Sequence, residues 1–168
     1  FARRLKGFGL NFRTFGKDAA FAFTYLLAVY PLILFGLWAV LTVGQLFSKD
    51  FGLQVHESLT ALTENENTGL RIIIVFFAAV IVPVFEEMLF RGFLQTSISS
   101  FSGRRWAAIL LTSLLFSVLH PATHIVALFV LSCGLGYAYE RSGSLFRSIL
   151  MHAFFNGFNV AGTLLFVS

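Results

Sequence analysis

Between Leu70 and Ile98 an apolar segment long enough to enter a bilayer carries two adjacent glutamates and an arginine. They fall in the run Pro83-Val84-Phe85-Glu86-Glu87-Met88-Leu89-Phe90-Arg91-Gly92. Ionisable groups at membrane depth are costly, so they are retained where they pair or work. On a helix, Glu87 and Arg91 stand four apart, about 40° around the axis, and can pair on one face. Glu86 points about 100° away from Glu87. One carboxylate is neutralised locally, and the other is left for a different partner.

Composition extends that reading to the whole chain. It is 57% apolar and 12% charged, with a mean hydropathy of +0.82, against about a quarter charged in an average soluble domain. The chain therefore reads as an integral, multi-pass membrane protein, and 168 residues suit one domain. The single Cys133 excludes an internal disulfide and any CxxC metal or redox motif. Basic residues sit at loop ends, so membrane topology accounts for the net charge of +4 without a nucleic-acid partner. The chain begins at Phe1 rather than Met and reads as the core of a longer protein. Its first apolar segment is too long for a signal peptide and lacks a small-residue cleavage site.

The expected fold is all-α: a polytopic bundle of about five spanning helices with interfacial amphipathic helices. Span one runs from Ala19 to Phe47, capped by Asp18 and bent at Pro31. Span two is the opening stretch, where Pro83 should free the carbonyl of Ala79 and kink the helix before the acids. Spans three, four and five cover Trp106 to His120, His124 to Tyr139, and Leu145 to Val167. The basic segment Phe1 to Lys17 reads as interfacial, and Val55, Leu59 and Leu62 recur at helical spacing in the longest polar connection. Arg104, Arg105 and Arg141 fall in the turns on the same side as the basic N-terminus, which places that terminus inside.

Glu86 and His120 are equally distant from Gly103 in the turn between spans two and three, so an antiparallel hairpin sets both at one height. Span five carries His152, Asn156 and Asn159 on one stripe, which must face protein or water rather than lipid. The set suits hydrolysis. A carboxylate and an imidazole can hold and deprotonate water, while a second imidazole and an amide can donate to an oxyanion. Phe116, one turn before His120, would wall the site from lipid. The mechanistic rival is zinc, for which Glu86, Glu87, His120, His124 and His152 supply enough ligands. A bundle that uses these groups only as interhelical glue, or as a proton relay in transport, is the non-hydrolytic alternative.

Three runs resemble the motifs of the CPBP family, the CAAX prenyl endopeptidases and bacteriocin-processing (Abi) membrane proteins. Glu86-Glu87-Met-Leu-Phe-Arg91 looks like its EExxxR, Phe116-Ser-Val-Leu-His120 its FxxxH, and His152-Ala-Phe-Phe-Asn156 its HxxxN. The likeness covers residues 70 to 165, and the ordered set is specific where each motif alone is weak. The resemblance implies an intramembrane protease of the glutamate type, and no cofactor or metal is expected beside the zinc rival. Glu86 and His120 would activate water, His152 and Asn156 would form the oxyanion hole, and Glu87 with Arg91 would support them. The implied partner is a membrane-associated peptide or protein, lipidated where it is a prenylated CAAX protein. The implied location is a bacterial cytoplasmic membrane. A bacteriocin self-immunity or binding protein using the same cavity without turnover is the family's other reading.

Overall fold

The computed structural model describes residues 9–53, 60 and 67–166, all of it helix and connection with no strand among them. Val55, Leu59 and Leu62, and the basic residues Arg3, Arg4 and Lys6, lie outside the described residues. Five helices carry the fold. They are α1 (Phe15–Phe47), α2 (Thr68–Ser102), α3 (Arg105–Val118), α4 (Ile125–Ser142) and α5 (Leu145–Phe166).

Among the described residues, three stretches are long and apolar enough to cross a membrane: Phe12–Phe47, Thr68–Ser102 and Ala122–Ser142. The all-α bundle expected from the sequence is thus observed, with three of its five helices long and apolar enough to cross on that measure and α3 a shorter apolar helix. Helix α3 has 14 residues, about 21 Å at 1.5 Å per residue. Pro121 follows its end, lacks a donor and disfavours helix in the residue before it. Helix α5 has 22 residues and carries Arg147, His152, Asn156 and Asn159 along an otherwise apolar sequence.

The ends are set by local chemistry. Gly103 and Gly143 close α2 and α4 in the left-handed conformation, with φ of 64° and 63°, which glycine adopts without a Cβ penalty. Asp18 does not cap α1. The helix starts three residues earlier, behind a 3-10 turn whose cap is Asn11. Asp18 instead lies buried in the first turn of α1 and accepts from Thr14 Oγ1, Ser144 Oγ and the Arg147 guanidinium, at 2.8, 2.8 and 2.9 Å. This knot fastens the start of α1 to the start of α5. Arg105 pairs with Glu140 at 3.0 Å, so the α2–α3 turn joins the same end of the molecule. Helix α1 runs through Pro31 without a break.

The apolar core lies where α1, α4 and α5 meet, around Ala22, Leu26, Leu131, Leu135 and Met151. Helix α2 packs on α5, α3 and α4. It is not α-helical throughout, because two π-helical segments, Phe77–Ile81 and Met88–Gln95, bracket Val82–Glu87. Such bulges recur at functional sites.

Candidate active site

The centre is a chain of charge that runs across three helices. On α2, Arg91 Nε lies 3.3 Å from Glu87 Oε2, and both side chains are fully buried. The approach is off the hydrogen-bond direction, so it acts as a charge contact. Arg91 is also held from α4: its Nη2 donates to Ser132 Oγ at 2.8 Å and to the Ser132 carbonyl at 3.1 Å. One turn along each helix, Gln95 Nε2 donates to the Gly136 carbonyl at 3.1 Å. There a Cβ on Gly136 would stand 2.7 Å from Gln95 Oε1, so any larger residue would make the amide shift.

From α5, His152 enters between the two glutamates. Its Nδ1 lies 2.9 Å from Glu87 Oε1, and its Nε2 lies 3.6 Å from Glu86 Oε2. Arg91 is a permanent cation and Glu87 its counter-ion, so the carboxylate accepts and Nδ1 carries the proton. The His152 side chain is 4% exposed and that of Glu86 27%. Glu87 is thus fixed by two buried partners, whereas Glu86 is partly exposed and, among the described residues, meets only the far edge of the same ring.

His120 reaches this centre indirectly. Its Nδ1 lies 2.8 Å from the Phe116 carbonyl, an oxygen that can only accept, so Nδ1 donates and Nε2 is the free lone pair of the neutral ring. Phe116 is buried and is the hub. Its ring centroid lies 4.7 Å from that of His120, 5.7 Å from His152 and 5.2 Å from Phe90, with the Arg91 guanidinium 5.4 Å away. No direct ion pair or hydrogen bond joins Glu86 to His120. Glu86 meets the centre at His152, and His120 meets it at Phe116, whose ring also touches that of His152. Equal counts from the turn do not by themselves fix equal height, because α2 is wound partly as π-helix and α3 ends at Val118, short of His120.

The π winding also moves the carbonyl that Pro83 frees. Val82 N–H bonds to the Phe77 carbonyl, five residues back. In that register the donor missing at Pro83 belongs to Ala78, not Ala79. Asn156 Nδ2 supplies it, donating to the Ala78 carbonyl at 2.9 Å. The stripe on α5 therefore divides by depth. His152 is buried and Asn156 half-buried, while Asn159 is exposed and bonds its own helix at Phe155.

His120 and His124 do not form one ligand pair, because Pro121 separates them and His124 ends a 3-10 turn with Thr123 Oγ1 3.1 Å from its Nδ1. Among the described residues no three His, Cys, Asp or Glu converge as metal ligands. Glu86 and Glu87 address opposite nitrogens of His152 and cannot share one ion with it. Two open grooves, of about 420 and about 510 Å³, lie elsewhere, and none of Glu86, Glu87, Arg91, His120, His152 or Asn156 lines them.

Ser132 and Gln95 are the functional neighbours that sequence reasoning missed. The one available signal was a hydroxyl within the apolar run Val130-Leu131-Ser132-Cys133.

Compared with known proteins, residues 68–158, more than half of the chain, match the model of the family described as "Type II CAAX prenyl endopeptidase Rce1-like". The match begins at the start of α2 and contains every residue of the centre just described. No curated protein and no solved structure matches the chain.

Proposed function

The chain belongs to the type II CAAX prenyl endopeptidase Rce1-like family, and on that premise we propose that it is an intramembrane endopeptidase that attacks a peptide bond with activated water. Its substrate is a membrane-associated peptide or protein, of which a prenylated CAAX tail is the form to test first. The observation that carries the reading is the unequal treatment of two adjacent acids. Glu87 is buried and neutralised by Arg91 and His152, while Glu86 is 27% exposed and unclaimed except at the edge of His152.

In this reading Glu86 and the free Nε2 of His120 hold a water and take its proton as its oxygen adds to the scissile carbonyl. The oxyanion is met by His152 Nε2 and by the second amide proton of Asn156, the first being committed to Ala78. Because His152 Nδ1 is turned to Glu87, Nε2 donates only from the imidazolium, whose charge the flanking glutamates balance. Collapse of the intermediate breaks the C–N bond, and the proton taken from water passes to the leaving amine. Glu87, Arg91 and Ser132 touch no substrate and hold the His152 ring in place. The end bearing Arg104, Arg105 and Arg141 faces the cytoplasm of a bacterial cell.

The test is cleavage of a fluorogenic prenylated CAAX peptide by the chain in proteoliposomes. Glu86→Gln and His120→Ala should each lower turnover by about 10²–10⁴-fold while thermal unfolding in detergent is unchanged. Full turnover by Glu86→Gln would overturn the proposal and favour a binding or immunity role that needs only the shape of the cavity.

A further inference from the structure

A second site lies at the other end of α2, away from the charge chain. The groove of about 510 Å³ is bounded by Thr96, Ser99 and Ser100 on α2, Arg105 on α3, and Tyr139 and Glu140 on α4. Its lining is rich in hydroxyls. Thr96 and Tyr139 approach one another at 3.4 Å, and Ser99 and Ser100 line the groove, with no hydrogen bond from either hydroxyl among the described residues. Arg105 pairs with Glu140 at 3.0 Å at the edge of the groove. Arg104 and Arg141, next in sequence to that pair, are exposed and make no ion pair among the described residues. Arg105 and Glu140 in the lining balance one another, and the adjoining Arg104 and Arg141 bring the two turns to a net charge of +2.

The depth of this groove in the membrane is marked by aromatic side chains. Trp106 stacks on Tyr137, with centroids 5.9 Å apart and planes at 22°, and both rings are exposed to the surroundings. Paired Trp and Tyr at a helix end is the signature of the headgroup level. A topological preference for inside-positive loops explains the arginines but not the hydroxyl-lined recess next to Arg104 and Arg141 in the chain. Basic pockets between membrane helices at this level accept phosphate headgroups.

We infer that the groove between the α2–α3 turn and the end of α4 binds the headgroup of an anionic phospholipid. Arg104 and Arg141 meet the phosphate, and the Ser99 and Ser100 hydroxyls donate to its oxygens or to the headgroup alcohol. The site is independent of the peptidase reading.

The full chain with Trp38→Phe leaves Trp106 as the sole tryptophan, since the sequence has two, and makes it a reporter of its own lipid neighbours. Reconstituted in phosphatidylcholine vesicles at fixed ionic strength, its fluorescence is titrated with dibrominated phosphatidylglycerol and, separately, dibrominated phosphatidylcholine. Phosphatidylglycerol should quench at a lower mole fraction. Arg104→Gln and Arg141→Gln should each weaken that preference by about fivefold, whereas Arg104→Lys and the distant Arg71→Gln should keep it. Equal quenching by the two lipids, or a preference that survives loss of both arginines, would overturn the inference. So would abolition of the preference by millimolar inorganic phosphate at the same ionic strength, which would mark a site for free anions.

Discussion

Arg91 is the residue on which the centre rests. It has no exposed surface, touches Glu87, and is gripped by Ser132 on another helix. Removing one member of a buried ion pair leaves an uncompensated charge, which costs about 3–5 kcal/mol. Arg91→Met should therefore lower the unfolding midpoint in detergent sharply. Adding Glu87→Gln should recover part of the loss, because neighbouring substitutions in one network do not add. At this scale much was legible. The spacing of Glu87 and Arg91 implied their pairing, and the structure sets them 3.3 Å apart. The partner of Glu86 was not legible, since His120 and His152 are equally good imidazoles on paper. Which of them meets the acid depends on how three helices pack, and that is written in no single segment.

The π-helical segments of α2 govern the element scale. Residues 77–81 shift the backbone register by one, so the oxygen orphaned by Pro83 is that of Ala78, and the Asn156 amide takes it. Asn156 therefore has a structural duty beside its proposed catalytic one, and two substitutions separate them. Asn156→Ala alone should cost about 1 kcal/mol of stability and also most of the turnover. In a Pro83→Ala background the backbone regains its donor, so Asn156→Ala should cost little stability while turnover stays low. Stability and turnover recovering together would show the amide to be structural only. The spans themselves were readable from apolar runs, and their ends from Gly103, Pro121 and Gly143. The π windings were not, because no residue pattern around Phe77 or Met88 distinguishes five-residue from four-residue hydrogen bonding. Asp18 looked like a cap for a helix starting at Ala19, but Asn11 already begins the turn and frees Asp18 for a tertiary role.

In the whole molecule, that tertiary role closes the bundle. Asp18 accepts from Thr14, Ser144 and Arg147, so the start of α1 is tied to the start of the helix that carries His152. Hydrogen bonds to a charged group are worth about 1.5–3 kcal/mol, and Asp18→Ala should destabilise by about that much. Because Asp18 and its partners share no hydrogen bond or ion pair with Glu86, His120, His152 or Asn156 among the described residues, Asp18→Ala should leave the cleavage rate of the folded fraction unchanged, as a turnover assay at low temperature would show. The central claim is that water held by Glu86 cuts a peptide bond. Its most direct measurement is mass spectrometry of the products after multiple turnovers on a prenylated CAAX peptide in ¹⁸O-enriched water. The account predicts one ¹⁸O in the new carboxylate and an unlabelled Glu86. No cleaved product across prenylated and unprenylated peptides, or ¹⁸O accumulating in the Glu86 side chain as an acyl-enzyme would leave it, would contradict the account.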